Sequence, residues 1–213
     1  MSPRVVAAFD LDRTLTRRET LVPFVLRARG RAATVRTIVA LPLPLARGLA
    51  RDSHRDHGKE LFLERLLGGR EVAPLAAAAE AFAGDVVAAH LRPDTHRQLE
   101  WHRAQGHELV IISASPELYV APIGRRLGVD AVLATRLEVD AQGRFTGRFT
   151  GRNCRGAEKA VRLRDHLGAG GPVTTLFAYG DSKGDRELLA MASTGVWVGR
   201  RPLPDPGALL AGE

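Results

Sequence analysis

The sequence predicts an α/β protein with a doubly wound, mostly parallel, Rossmann-like sheet and a helical cap inserted after the first strand. Short runs that are apolar at every position recur along the chain, as in strands covered by helices on both faces. Helical patterns separate these runs, and this alternation favours a parallel sheet. The stretch between residues 18 and 91 breaks the rhythm, because it contains several helical patterns and no convincing strand pattern.

The elements of the core can be predicted one by one. Strands are expected at 5–9 (VVAAF), 108–113 (ELVIIS), 131–134, 174–179 (TTLFAY) and 196–198. Helices are expected at 93–105, 116–127, 156–167 and 185–191. Pro93 and Pro116 each lie in the first turn of a predicted helix, where proline is tolerated. Residues 144–149 (RFTGRF) are expected to form a hairpin arm beside residues 136–140.

These elements divide the chain into two predicted domains. Residues 1–17 and 92–213 are expected to form the α/β core, and residues 18–91 the helical cap. Within the cap, residues 18–51 hold seven arginines and one glutamate, a net charge of +6, whereas residues 52–91 have a net charge of −3. The basic half of the cap is therefore the expected contact for an anionic partner.

Composition and charge limit the class of protein and its partners. The 213 residues are 45% hydrophobic and 26% charged, which suits a globular protein and excludes disordered and fibrous classes. The net charge of +7 favours anionic partners, but only 5% of the residues are aromatic, so few side chains could stack on bases. We therefore expect no nucleic-acid partner, and the sequence leaves the oligomeric state open.

The chain is expected to be cytoplasmic. Its single cysteine, Cys154, cannot form an internal disulfide, and the apolar run at 5–9 is too short for the core of a signal peptide. No stretch approaches the roughly 20 apolar residues expected of a membrane span, and the longest candidate, residues 38–46, contains Pro42 and Pro44.

Two aspartates follow the first predicted strand, in the sequence Asp10-Leu11-Asp12-Arg13-Thr14. In an open parallel sheet, ligands bind outside the carboxyl ends of the strands. Two carboxylates at such an end repel each other unless a cation or a shared proton stabilises them. A helix-capping aspartate would account for one member of the pair but not for both, so the pair predicts a functional site.

A second acidic pair, Asp181 and Asp185, follows the predicted strand at 174–179. Asp185 could also be the N-cap of the next helix, whereas Asp181 lies at the end of the strand itself. Carboxylates from both pairs would form an oxygen-rich site, which suits Mg²⁺, and the chain offers nothing with the ligand spacing of a zinc site. Mg²⁺ is therefore the expected cofactor.

Two further features could bind an anion. Ser113 is the last residue of the predicted strand at 108–113, and Ala114 follows it just before a helix start. A hydroxyl and backbone N–H groups at such a position form a cradle for a phosphate. Ser115 has a simpler explanation as the N-cap of that helix. Lys159 is informative because the chain contains only three lysines.

These four features, in this order, resemble the motifs of the haloacid dehalogenase superfamily of phosphohydrolases. The first motif, DxDxT, begins at Asp10, and the strand-end serine is Ser113. The isolated lysine is Lys159, and the final GDxxxD motif contains Asp181 and Asp185. The helical insertion resembles the cap of the phosphoserine-phosphatase-like branch, subfamily IB.

The resemblance implies a phosphatase that works through an aspartyl-phosphate. Asp10 would attack phosphorus, and Asp12 would protonate the leaving oxygen and later deprotonate the attacking water. Mg²⁺ would be bound by Asp10, by the backbone carbonyl of Asp12 and by Asp181, with Asp185 as a supporting carboxylate. The partner implied is a small phosphate ester.

The resemblance also assigns residues that would bind the substrate. Ser113, Ala114 and Lys159 would hold the phosphoryl oxygens as charge moves in the transition state. Glu19 matches an acidic residue of the family that contacts the substrate amino group or gates the cap. Glu19 could equally be an acid in the first turn of the first cap helix.

Two residues depart from the family pattern. Arg13 places a bulky cation at a position that is usually small, and Gly184 replaces the asparagine of many phosphoserine phosphatases. The expected substrate is therefore a small anionic phosphate ester, such as phosphoserine or another amino-alcohol phosphate, without one compound being singled out.

Two alternative functions stay open at this point. The apolar run at 38–46, flanked by Arg36 and Arg47, could bring the same chemistry to an anionic membrane surface, as in a peripheral lipid-phosphate phosphatase with weak membrane contact. The net charge of +7 also motivates a non-catalytic nucleic-acid-binding or regulatory module. The acidic strand ends oppose this second alternative, because they would repel a phosphate backbone.

Overall fold

The central feature of the fold is a five-stranded parallel sheet, seen in a computed structural model that describes residues 4–40, 55–199, 201–203 and 205–207. The strands, in chain order, are β1 (Arg4–Phe9), β2 (Arg70–Glu71), β3 (Glu108–Pro116), β4 (Ala131–Thr135), β5 (Leu137–Val139), β6 (Arg144–Phe149), β7 (Val173–Gly180) and β8 (Thr194–Trp197). The sheet has the order β4–β3–β1–β7–β8, and every neighbouring pair is parallel. The predicted fold class is confirmed.

Helices connect these strands. In the described residues they are α1 (Leu21–Arg29), α2 (Arg31–Val39), α3 (Arg55–Leu67), α4 (Val72–Ala89), α5 (Pro93–Ala104), α6 (Glu117–Leu127), α7 (Ala157–Ala169) and α8 (Arg186–Ala190). Those from α5 onward lie close to the predicted bounds. α6 ends where Gly128 takes a left-handed conformation with φ of 61°, which a residue without a Cβ adopts at no steric cost.

The uniformly apolar strands are explained by burial on both faces. Phe9 and Ile111 point into one hydrophobic cluster, whereas their neighbours Ala8 and Val110 point into the other. Successive side chains of a strand point to opposite faces, so a strand covered on both sides is apolar at every position. This double burial fixes β1 in the middle of the sheet and carries the residue after it to the carboxyl edge.

A second, small sheet corrects one expectation. β2 lies between residues 18 and 91, where no strand was expected, and it pairs with β6, which in turn pairs with β5. A strand of two residues is too short to leave an apolar pattern. The predicted hairpin of 136–140 and 144–149 is confirmed, and its second strand touches α3. The division of the chain into core and cap stays a prediction.

Gly147 makes the contact between β6 and α3 close. It is buried with φ of 86°, and a Cβ at this position would lie 2.1 Å from the Cα of Glu64 in α3. Only a glycine lets the strand backbone approach the helix backbone this closely. The hairpin is therefore tied to a helix of the predicted cap.

α4 corrects a second expectation. By length and composition it is the one helix of the described ranges that could cross a membrane, although no stretch of that kind was expected from the sequence. One side of it is buried, with Phe82 packed against Phe24 and Tyr119 at ring-centroid distances of 5.6 and 5.5 Å. The apolar run at 38–46, the basis of the membrane alternative, lies outside the described residues from position 41 onward.

A buried imidazole lies beneath the sheet. His102 of α5 has no exposed surface, and its Nε2 lies 2.9 Å from the Tyr179 hydroxyl. Its Nδ1 lies 2.7 Å from Nδ1 of His107. Burial, together with the neighbouring His107, lowers the pKa of His102 from 6.5 to about 3. His102 is therefore neutral in the folded protein at every pH at which the protein is expected to work.

This histidine predicts a loss of stability in weak acid. His102 binds a proton below about pH 6.5 in the unfolded chain but only below about pH 3 in the folded chain. The neutral, buried histidine therefore stabilises the fold fully above about pH 6.5, and this stabilisation is lost as the pH is lowered. We expect the contribution of His102 to the free energy of unfolding to drop by about 2 kcal/mol between about pH 7.5 and about pH 5. Urea denaturation of the unaltered protein and of a His102 variant at both pH values measures this contribution as the difference between the two proteins.

Two variants separate this effect from general acid sensitivity. His102→Asn should lack this contribution whatever its absolute stability, because the titrating group is gone. His90→Gln, a change at an exposed histidine, should keep the full slope. An equal slope in the His102→Asn protein would contradict the assignment.

Candidate active site

The predicted site residues come from three neighbouring strands. Asp10 follows β1, Ser113 lies near the end of β3, and Asp181 follows β7. Because β3, β1 and β7 are adjacent and parallel, their carboxyl ends meet at one edge of the sheet. This is where ligands bind in open α/β sheets.

Lys159 joins the two motifs that are farthest apart in the sequence. Its Nζ lies 2.5 Å from Oδ1 of Asp10 and 2.6 Å from Oδ1 of Asp185. All three side chains are almost completely buried. The first turn of α7 places this lysine under the site, so that one ammonium group bridges two carboxylates.

Glycine at position 180 permits this arrangement. A Cβ there would lie 2.5 Å from the Cβ of Asp185, so the end of β7 can pass this close to Asp185 only as glycine. The Asp185 Oδ2 accepts hydrogen bonds from the backbone N–H and the hydroxyl of Ser182, at 3.0 and 2.7 Å. Both oxygens of the Asp185 carboxylate are thus held.

Burial and charge shift the pKa values of the cluster. Burial raises the pKa of Asp10 to about 8, with Asp185 and Asp12 adding to the rise and Lys159 opposing it. Burial and the charge of Asp185 raise the pKa of Asp181 to about 6. Burial acts against the charged forms of Lys159 and Asp185, but the attraction of Lys159 to Asp10 and Asp185 outweighs it. The pKa of Lys159 is therefore raised and that of Asp185 is lowered.

Three of the carboxylates could hold a metal ion together. One ligand atom each of Asp10, Asp181 and Asp185 lies within 4.8 Å of the others. Carboxylate oxygens are the ligands that Mg²⁺ prefers, and a divalent cation would also offset the burial and the crowding of negative charge that raise the pKa of Asp10 and Asp181. The donor set therefore fits Mg²⁺.

The carboxylate of Asp12 is held apart from that cluster. Its Oδ1 accepts hydrogen bonds from the backbone N–H and hydroxyl of Thr20, at 2.6 and 2.7 Å. Its Oδ2 accepts one from the Ser115 hydroxyl, at 2.5 Å. Any contribution of Asp12 to a metal site would be through its backbone carbonyl, and its side chain is oriented by the end of β3 and the start of α1.

Sequence reasoning missed these two hydroxyl partners. The interpretation of Ser115 as an N-cap is wrong, because α6 begins at Glu117 after Pro116 and has no side-chain cap bond. Thr20 precedes α1, a position at which threonine is ordinary. Neither residue carries a signal in the sequence, since its role depends on a contact between distant segments.

The predicted phosphate-binding segment lies at a break in the ladder between β3 and β4. The register shifts between Ser113 and Pro116, and the buried Ser113 hydroxyl accepts a hydrogen bond from the Ser115 N–H at 3.1 Å. The carbonyl of Ala114 accepts a hydrogen bond from the Thr135 hydroxyl at 2.6 Å. The segment is thus held on its outer side by β4.

Lys59 is a second site lysine that sequence reasoning did not single out. It lies on α3 and donates to the carbonyl of Ala114 and to Oδ1 of Asn153, the latter at 3.1 Å. Burial lowers the pKa of Lys59 to about 8, although Asp12 opposes this. The scarcity of lysine was the available signal, because Lys59 is one of only three in the chain.

Glu19 is not part of the carboxylate cluster. Its Oε1 lies 2.9 Å from the Arg13 guanidinium, and both side chains are more than half exposed. Arg13 has a left-handed backbone conformation, with φ of 63°, and its own side chain lies in solvent beside Glu19 rather than on Asp10. The second departure, Gly184, also has a local explanation. A Cβ at this position would lie 3.1 Å from the Arg155 side chain, so a larger residue would crowd it.

The bridging role of Lys159 predicts a specific loss of stability. Removing one partner of a buried ion pair typically costs about 3–5 kcal/mol, because an uncompensated charge stays buried. We expect Lys159→Met to lower the unfolding free energy by that order in EDTA, and added Mg²⁺ to restore part of it. Lys183→Met, at an exposed lysine, is the matched control, and equal stability of the two variants would refute the bridge.

Comparisons with known proteins agree with this geometry. A family model described as haloacid dehalogenase-like hydrolase matches residues 7–190. Protein CicA of Caulobacter vibrioides is 37% identical over 188 residues, which cover 88% of this chain and 83% of that protein. Phosphoserine phosphatase SerB1 of Mycobacterium tuberculosis is 31% identical over 201 residues, which cover 90% of this chain and 64% of that protein.

The fold has a similar solved counterpart. The crystal structure of a protein of unknown function from Bordetella pertussis Tohama I superposes with a TM-score of 0.70 at 28% identity, covering 90% of this chain and 88% of that one. The resemblance inferred from the motifs is confirmed. This chain belongs to the haloacid dehalogenase-like hydrolase family.

Proposed function

We propose that this protein is a Mg²⁺-dependent phosphomonoesterase that works through an aspartyl-phosphate on Asp10. The observation that carries the proposal is the buried bridge from Lys159 to Asp10 and Asp185, next to Asp181, at the carboxyl edge of the sheet. A carboxylate held this way beside a cation site can meet a phosphate dianion, which an isolated carboxylate would repel.

The first half-reaction uses the free oxygen of the nucleophile. Lys159 binds Oδ1 of Asp10, so Oδ2 is available to attack phosphorus in line with the leaving alcohol. The new bond joins Oδ2 to phosphorus, and the bond from phosphorus to the ester oxygen breaks. Asp12 gives its proton to that oxygen, so the alcohol leaves neutral.

The second half-reaction returns the enzyme to its starting state. Asp12 takes a proton from water, whose oxygen attacks phosphorus and breaks the bond to Asp10, which releases inorganic phosphate. Thr20 and Ser115 fix the carboxylate of Asp12 through hydrogen bonds of 2.5–2.7 Å, as a group that must act twice requires. A dehalogenase would have no use for this second aspartate.

The remaining site residues support the transfer of the phosphoryl group. Lys159, the Ser113 hydroxyl and the backbone N–H of Ala114 would hold its oxygens as charge develops on them. Asp10, Asp181, Asp185 and the backbone carbonyl of Asp12 would hold Mg²⁺, which would neutralise negative charge between the nucleophile and the phosphate. Lys59 keeps Ala114 in place from α3 and adds a further positive charge.

The substrate class that we propose is a small amino-alcohol phosphate, such as phosphoserine. A relative carries the name phosphoserine phosphatase, and Glu19 lies next to the site on the segment after Asp12. Glu19 could bind a substrate ammonium if it exchanged its surface contact with Arg13, which costs little because exposed ion pairs are weak.

The chemistry is tested by replacing the nucleophile. Asp10→Asn cannot form the aspartyl-phosphate, so we expect turnover of p-nitrophenyl phosphate to fall by about 10³-fold or more. EDTA should abolish turnover by the unaltered protein and Mg²⁺ should restore it. Asp165→Asn, at an exposed aspartate, serves as the control, and activity retained by Asp10→Asn would end the proposal.

The substrate class is tested with a matched panel of esters. We expect phosphoserine and histidinol phosphate to have higher kcat/KM than glycerol phosphate, which lacks the amino group. Glu19→Gln should remove this preference through KM, by about tenfold, and leave p-nitrophenyl phosphate turnover unchanged. Glu64→Gln, at an exposed residue of α3, should change neither, and a preference that survives Glu19→Gln would exclude this role for Glu19.

A further inference from the structure

A cavity of about 670 Å³ opens beside Asp181, next to the edge strand β8. Asp181 lines this cavity and is also a member of the carboxylate cluster, so the two sites are adjacent. The cavity is lined by four arginines, namely Arg13, Arg17, Arg92 and Arg97, together with Asp94 and Trp197. None of these six residues has a part in the proposed reaction.

Two of the arginines are neutralised by carboxylates. Arg92 makes a bidentate contact with Asp94, at 2.8 and 3.1 Å, and also donates to the carbonyl of Gly199. The ion pair of Arg92 and Asp94 thus stabilises the wall of the cavity. Arg13 is paired with Glu19 at the rim.

The positive charges of the other two arginines are not neutralised by a carboxylate of the described residues. Within the described parts of the chain, the guanidinium groups of Arg17 and Arg97 make no hydrogen bond or ion pair, and both residues are exposed. Arg17 is held at the cavity by its backbone, because its N–H donates to the carbonyl of His90 at 2.9 Å beside the bridge between Thr16 and Leu91. Arg97 projects from the second turn of α5.

The balance of charge in the cavity favours an anion. Arg92 cancels Asp94, which leaves Asp181 as the one unpaired carboxylate among the lining residues, and Asp181 also belongs to the candidate metal site. Arginine binds phosphate through parallel N–H bonds, and two arginines on separate segments can grip one phosphate from two sides. The half-exposed Trp197 provides an apolar wall for whatever carries the anion.

We propose that Arg17 and Arg97 bind a second phosphate group in this cavity, beside the phosphoryl site at Asp10. That phosphate belongs either to the substrate itself, as in a bisphosphate, or to a separate anionic effector. The assignment to the substrate rests on the phosphatase chemistry of the proposed function and would replace its amino-alcohol substrate class, whereas the binding of phosphate by the two arginines depends on neither.

Binding is tested without catalysis, by calorimetric titration of the full chain with inorganic phosphate in EDTA. We expect Arg17→Gln/Arg97→Gln to weaken the affinity at least tenfold, and sodium chloride to weaken binding by the unaltered protein, because exposed charges are screened. Arg148→Gln/Arg164→Gln removes two exposed arginines elsewhere and controls for net charge. Equal affinity in the two double variants would overturn the proposal.

Kinetics then identify the source of the phosphate. If it belongs to the substrate, the double variant loses kcat/KM on a sugar bisphosphate at least tenfold and keeps its activity on p-nitrophenyl phosphate. If it belongs to an effector, added phosphate changes p-nitrophenyl phosphate turnover in the unaltered protein by a mechanism that is not purely competitive, and the double variant loses this response. A protein that binds phosphate through these arginines but hydrolyses no ester would refute the proposed function alone.

Discussion

The buried contact of Lys159 with Asp10 and Asp185 is the interaction on which the rest of the structure depends. Taking an ion out of water costs several kcal/mol, and the cost is offset only when partners are close and well oriented. One ammonium at 2.5 and 2.6 Å from two carboxylates meets that condition. The cluster still has an excess of negative charge, because Asp181 adds a third carboxylate beside the single ammonium group. The bridge therefore stabilises the folded protein, and the remaining negative charge suits a divalent cation.

The geometry of the sheet makes this contact possible. Asp10 and Lys159 are 149 residues apart, and they meet because β1 lies between β3 and β7 and ends at the same edge. Burial of β1 on both faces fixes how far Asp10 projects, and the glycine at 180 lets Asp185 approach. Burial of β1 therefore has two effects: it places Asp10 at the edge of the sheet, and it raises the pKa of the Asp10 carboxyl group.

Hydrophobic periodicity and the residues at strand ends were the informative parts of the sequence. Five apolar runs predicted the five parallel strands, and the carboxylates after two of them led to Asp10, Asp181 and Asp185. Periodicity did not predict β2, since two residues carry no pattern, or the membrane-like composition of α4. The partners of Asp12 were not predicted, because they act through contacts between distant segments. Lys59 was not predicted either, because the scarcity of lysine was used as a signal for Lys159 alone. The cavity arginines were hidden for another reason: in a chain in which nearly every basic residue is arginine, one more is not a signal.

Arg13 shows how a departure from a family pattern can be absorbed by the backbone. From the sequence alone, a bulky cation directly after Asp12 would be expected to crowd Asp10. In the structure, residue 13 is the one non-glycine with positive φ among the described positions, and this conformation directs its side chain outward to Glu19 and the rim of the arginine-lined cavity. A left-handed residue other than glycine costs about 1–2 kcal/mol, and such strain persists where the surroundings impose it. Here the surroundings are the Thr16 hydroxyl, which accepts a hydrogen bond from the Arg13 N–H at 3.3 Å, and the bridge from Thr16 to Leu91. The loop that carries Asp10 and Asp12 is therefore closed on itself, and the Arg13 side chain extends from it to Glu19 and the rim of the cavity.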